Sequence, residues 1–247
     1  MEQSKKGLLV QVGNYWNTRA EGYSLDVKEE LLGESGKDWL SFIKEIAPKE
    51  KFSKVLDIGC GPGFFVTLLG RAGYEVTGVD YTENMLIEAR RNTTEHGVEA
   101  RLLRMDVQEL DFTDECFDLL VTRNVTWNLE HPMEAYKEWL RVLKPGGILI
   151  NADGNHYLHY TDETYAKSAS ESEHKHMEGI DVSVIDNLAR ELPLSREHRP
   201  AWDQAVLESL GATDFVVRKE VTEQVAGRNG ETRDITRNFI FTVGKKA

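Results

Sequence analysis

Between residues 54 and 154, short apolar runs alternate with stretches that place an apolar residue every three to four positions. Lys54 to Ile58 (KVLDI) is a compact apolar run stopped by glycines, the pattern of a strand buried on both faces. Phe64 to Ala72 predicts a helix closed by Gly73, and Glu75 to Val79 predicts a second strand ending at Asp80. Thr82 and Glu83 open another helical period that runs to about Glu95 and stops at Gly97. Ala100–Arg104, Phe117–Thr122 and Gly147–Ala152 predict three further strands, the last preceded by a helix from Pro132 to Leu143.

This rhythm predicts an α/β fold: a Rossmann-like sheet of mostly parallel strands with helices on both faces. Farther on, Trp202–Leu210 predicts a helix, and Phe215–Lys219 and Phe239–Val243 predict strands with a polar stretch between them. That pair reads as a hairpin, which makes the last strand antiparallel. Two segments fall outside the rhythm. Residues 1–50 hold an aromatic-rich patch followed by an amphipathic stretch from Ser35 to Ile46, and read as an N-terminal helical cap. Residues 155–200 are polar, carry five of the seven histidines, and read as a lid inserted over a pocket. A single domain is expected, with cap (1–50), core (51–154), lid (155–200) and C-terminal helix and hairpin (201–247).

The 247 residues are 40% hydrophobic and 29% charged, enough to build a core without disulfides or metals. A net charge of −12 disfavours nucleic acid and anionic membrane surfaces, which select clustered Lys and Arg. Cys60 and Cys116 do not read as a disulfide framework, and no apolar run approaches the roughly 20 residues of a membrane span. A cytoplasmic protein with neither nucleic-acid nor membrane partners is expected, as monomer or homodimer.

VLDIGCGPGFF, Val55 to Phe65, carries the strongest chemical signal. Gly59, Gly61 and Gly63 let the backbone turn off the strand and approach a ligand, at the start of a helix with free N–H groups. A dinucleotide loop asks for a third glycine where Phe64 stands. Asp57, two residues before the first glycine, suits a cationic amine better than a pyrophosphate. Asp80 at the end of the second strand can accept from ribose hydroxyls.

These residues resemble the class I S-adenosylmethionine-dependent methyltransferase family, especially its ubiquinone/menaquinone-type small-molecule branch. DIGCGPG matches its glycine loop, Asp80 its second-strand acid, MDVQEL its third-strand acid at Asp106, and LKPGGIL the turn into its fifth strand. The resemblance implies a seven-stranded sheet, S-adenosyl-L-methionine as cofactor and methyl transfer to a small molecule. It places the methionine part in the Gly59–Gly63 loop, including Cys60, with Asp57 near its ammonium. It puts Asp80 on the ribose, Tyr81 and Met85 on the adenine face, Asp106 and the Val107 amide at its edge, and Arg123 and Asn124 beside the sulfur.

Substrate choice is expected outside the core. Tyr15, Arg19 and Tyr23 are candidates for closing over the cofactor, with the docking of an aromatic stripe on the core as the alternative. Asn124, Asp153, His156 and His159 are candidate catalytic groups at the carboxyl edge of the sheet, histidine being best matched to neutral pH. Glu171, His174 and His176 add possible metal ligands, but their spacing fits no strong metal motif, and no metal is expected. Competing readings are an aminocarboxypropyl transferase on the same scaffold, a non-catalytic S-adenosylmethionine-binding module, and an NAD-linked dehydrogenase, the last disfavoured by Phe64 and Asp57.

Overall fold

A computed structural model describes residues 7–165, 175–226 and 232–246. Helices α1 (Leu8–Leu32) and α2 (Glu34–Ile46) precede the expected alternation of β1 (Lys54–Ile58), α3 (Phe64–Arg71), β2 (Glu75–Asp80), α4 (Glu83–Glu95) and β3 (Arg101–Arg104). Then come β4 (Phe117–Arg123), α5 (Pro132–Val142), β5 (Leu143–Gly154), α6 (Ser183–Ala189), α7 (Ala201–Ser209), β6 (Ala212–Ala226) and β7 (Thr232–Lys245). The seven strands lie in the order β3-β2-β1-β4-β5-β7-β6. The first five are parallel, and β7 runs antiparallel to both β5 and β6, as the fold expectation required.

Alternation along each strand feeds two cores, one on each face of the sheet. Leu56, Ile58 and Leu120 pack with Tyr136 and Trp139 of α5 on one face. Val55, Leu119, Val121 and Ile150 pack on the other with Ile43 of α2 and with Phe65 and Leu69 of α3. Burial on both faces explains why these strands read as unbroken apolar runs.

The β6–β7 ribbon is three times longer than its apolar signal, because Val221 to Ala226 goes on pairing with Thr232 to Asn238, with an Arg237–Glu223 ion pair at 2.8 Å across the two strands. Val221 to Gln224 of its outer part are exposed, and Ile235 is the one buried residue among the described side chains there, too few to print a core-facing period. Helix α1 lies along α4: the Asn84 N–H donates to Asn17 Oδ1 at 3.1 Å, and Asn92 Nδ2 donates to Ser24 Oγ at 3.1 Å. The described residues between 155 and 200 form short 3-10 turns at Leu158–Tyr160, Glu163–Tyr165 and Pro193–Arg196, beside α6. Ile185, Leu188 and Leu192 of this segment close against Val12 and Tyr15 of α1 and against Trp127. No helix among the described residues is long and apolar enough to cross a membrane.

Candidate active site

The turn after β1 is built by backbone conformation. Gly59, Gly61 and Gly63 have φ of +64°, +50° and +87°, a region costly for side chains. A Cβ on Gly59 would sit 2.4 Å from Val125 Cγ2, so the bare loop backbone packs against the Val125 side chain just past the end of β4. Gly63 occupies the N-cap position of α3. Asp80, at the end of β2, ties this loop in place: its carboxylate accepts from the Gly61 N–H at 2.9 Å and from the Thr82 N–H and hydroxyl at 2.9 and 2.6 Å. Thr82 therefore spends its hydroxyl on Asp80 rather than on capping α4. Burial lifts the Asp80 carboxyl above the usual carboxylate range, against these bonds.

A cavity opens between the carboxyl edge of the sheet and α1, where ligands of open α/β sheets collect. The strand ends supply Gly59, Gly61, Asp80, Tyr81, Met85, Asp106 and Val107 to one half of its wall. Asp106 accepts from the Gln108 N–H at 2.9 Å, which stiffens the turn that presents it. Tyr15, Arg19 and Tyr23 of α1 roof the cavity, and Arg123 and Asn124 line it from the end of β4. Arg19 is buried, donates to the His176 carbonyl at 2.9 Å and pairs with Asp26 at 3.7 Å. Arg123 lies over the Phe64 ring and pairs with Glu30 of α1 at 2.7 Å. Tyr23 and Glu30 hold its guanidinium charged against the burial that would discharge it. Asn124 adopts φ +57°, and its carbonyl accepts from the Trp127 indole N–H at 3.1 Å.

His156 lines the far half of the cavity together with Trp16, Trp127, Asn128 and Tyr157. The ring centroids of Trp16 and Trp127 are 6.4 Å apart, and Trp127 stands 5.4 Å from His156 and 5.3 Å from Tyr157.

Five expected site residues lie off this wall. Asp57 is buried under the loop and accepts from the Val66 N–H at 3.2 Å, because the free first turn of α3 offers the nearest donor. Loss of water pushes its carboxyl up to about 8, against the Val66 bond and the Arg123 charge. Cys60 is buried with its Sγ facing Gly78 of β2, and burial raises its thiol. Gly63 faces Ala89 of α4. Asp153 is buried against Arg199, whose Nη1 donates to it at 2.8 Å, and it also accepts from the Trp127 N–H at 2.9 Å. Arg199 and His156 hold it ionised, outweighing the burial that would raise it. His159 lies tilted against Tyr160, with ring centroids 4.3 Å apart. Glu171 and His174 lie outside the described residues, and His176 sits by Glu29 at 3.4 Å. Among the described residues no cluster of three potential metal ligands exists.

Sequence reasoning missed Leu9, Val12, Gly13, Tyr157 and Ile185 as wall residues. It also missed Arg199, whose pairing with Asp203 at i,i+4 is the sequence trace of a buried ion pair. Gly13 had a trace too. A glycine inside a helix asks for a reason, and here a Cβ would press 2.7 Å from the Tyr81 ring.

A glycine turn, an acid at the next strand end and a capped cleft on such a sheet define an α/β domain built for a nucleoside-bearing cofactor. Residues 56–151 match the family described as methyltransferase domain. The chain is 35% identical over 120 residues to demethylmenaquinone methyltransferase of Staphylococcus aureus, covering 47% of this chain and 49% of that protein. It thus spans about half the length of the curated relatives it matches. Among solved structures, the YcgJ protein of Bacillus subtilis superposes with a TM-score of 0.60 at 17% identity, over 85% of this chain and 99% of that one. A Thermotoga maritima S-adenosylmethionine-dependent methyltransferase, described as a possible histamine N-methyltransferase, does so at 0.57 and 18%, over 94% and 99%. These likenesses set the chain beside methyltransferases, over its core in sequence and over most of its length in fold.

Proposed function

We propose that the chain transfers a methyl group from S-adenosyl-L-methionine to a small-molecule acceptor by in-line displacement, within or near the menaquinone-type branch. The observation that carries this is the division of one cleft into two halves. The half at the β1, β2 and β3 ends pairs two backbone-only glycines with the carboxylates Asp80 and Asp106 and the flat surfaces of Tyr81 and Met85. That set fits the cofactor: acids for ribose hydroxyls and a base-edge amino group, slabs for a heterocycle, and bare backbone for an amino-acid arm. Arg19, Tyr15 and Tyr23 on α1, with Arg123 and Asn124, would hold the arm's carboxylate end. Asp57 would act from beneath the loop, by fixing the first turn of α3.

When bound, the cofactor supplies an electrophilic methyl group on a good leaving group. The protein's work is to align and dry the reactants. Helices α1 and α6 exclude water by closing Val12, Tyr15 and Ile185 over the cleft. Isothermal calorimetry with S-adenosylhomocysteine tests the reading, followed by label transfer from methyl-labelled cofactor into a metabolite extract. Saturable binding with label moved to a small molecule is expected. Transfer of the aminocarboxypropyl arm, binding without any transfer, or a preference for NAD would replace it. The protein is proposed to act as a soluble cytoplasmic monomer or homodimer without nucleic-acid partners.

A further inference from the structure

The acceptor half of the cleft is chemically one-sided. Among the described residues its wall carries Trp16, Trp127, Asn128, Leu129, His156 and Tyr157 and no acid. The nearest carboxylates are spent elsewhere. Asp153 is turned onto Arg199, and Asp186, off the wall, raises the Tyr157 phenol as its hydrogen-bond partner, second to the effect of burial. A cationic amine would find nothing among the described residues there to balance its charge.

Two polar atoms lack partners in this half. Trp16 Nε1 is buried with no acceptor, and an indole N–H can only donate, so it asks for a ligand oxygen with a lone pair. His156 Nε2 is buried 3.5 Å from Asp153 Oδ1, a charge contact short of a full hydrogen bond, and meets no other acceptor. The other ring nitrogen, Nδ1, has neither a protein partner nor burial. A carboxylate facing Nε2 favours the tautomer with its proton there, which leaves the Nδ1 lone pair bare. Asp153 is itself fixed by Arg199, which also pairs with Asp203 at 2.8 Å, and Asp203 accepts from the Tyr136 hydroxyl. The charged or titratable groups around His156 are thus Asp153 of β5, Arg199 behind it and its neighbour Tyr157.

Resting on the methyl-transfer reading, we infer that the acceptor is a hydroxyl on a flat ring, deprotonated by His156 Nδ1, with Asp153 and Arg199 as positioning residues. The ring lies among Trp16, Trp127 and Tyr157, and the oxygen takes the Trp16 N–H. As the O–H proton passes to Nδ1, an oxygen lone pair forms the new O–C bond. The C–S bond breaks with its electron pair staying on sulfur, so the sulfonium becomes a thioether and His156 an imidazolium.

Two measurements test this. In protein labelled with ¹⁵N-histidine, the neutral His156 ring is expected to carry its proton on Nε2, and Asp153→Asn is expected to mix the tautomers. With S-adenosylhomocysteine present, 4-nitrophenol is expected to bind as its coloured phenolate. His156→Gln and Trp16→Phe are each expected to weaken that binding about tenfold, with S-adenosylhomocysteine affinity changed less than twofold. His156 and Trp16 need no buried ion pair, so these variants remain informative if Asp153→Asn does not fold. A neutral His156 with its proton on Nδ1, equal nitrophenol binding by wild type and His156→Gln, no phenolate bound, or preference for benzylammonium overturns the inference. Failure of S-adenosylhomocysteine itself to bind overturns instead the methyl-transfer reading on which it rests.

Discussion

Asp57 offers the sharpest quantitative test, because a carboxyl sealed under a glycine loop must make stability fall as pH rises. Its proton affinity is lifted from an ordinary 3.8 to about 8, chiefly by loss of water. Below about pH 4 folded and unfolded chains both hold the proton, and the group makes no difference. Between the two values only the folded chain holds it, so stability declines with rising pH, and above about 8 the whole cost stands. At about 1.4 kcal/mol for each tenfold change in proton affinity, the ceiling on that cost is roughly 5–6 kcal/mol. Partial relaxation around the charge brings the expected measured loss to about 2–4 kcal/mol. Asp57→Asn keeps an oxygen for the Val66 N–H and removes the ionisation. Urea unfolding of the ligand-free protein at about pH 5 and 9 should show wild type losing this amount relative to the variant. Parallel pH profiles would refute the argument, and with it the burial that the loop imposes.

Gly59→Ala places a methyl 2.4 Å from Val125 Cγ2 at φ +64°, and calorimetry should show S-adenosylhomocysteine affinity falling more than about tenfold. Asp80→Ala removes the Gly61 tether and the proposed ribose acceptor together, with about 1–3 kcal/mol of cofactor affinity expected to go in the same assay. Arg199→Met leaves Asp153 and Asp203 buried without their cation, so chemical denaturation should show a loss of about 3–5 kcal/mol. Gly22→Ala drives a Cβ to 2.2 Å from the His176 carbonyl, and amide exchange over residues 176–180 should accelerate as that segment lifts from α1.

The parallel core was legible because burial on both faces of β1, β4 and β5 writes itself as apolar runs, and its turns need glycine. The strand-end wall of the cleft was legible for the same reason: Gly59, Gly61, Asp80 and Asp106 sit where strand ends place them. What escaped is what depends on distance rather than order. Asp153 reads as an edge carboxylate until Arg199, 46 positions later, is seen to occupy it. Asp57 looks like a free charge until the first turn of α3 claims it. The outer β6–β7 ribbon escaped because one buried residue among its described side chains, Ile235, cannot print a period.

That ribbon ends the sheet on a strand whose far side has no neighbour among the described residues, and it bears Val216, Val217 and Val221 at 39–45% exposure. Such a border would recruit another chain edge to edge, were it not interrupted by Arg218, Lys219, Glu220 and Glu223. Self-avoidance of this molecule in solution thereby rests on a few alternating charges, which makes its colloidal behaviour sensitive to ionic strength.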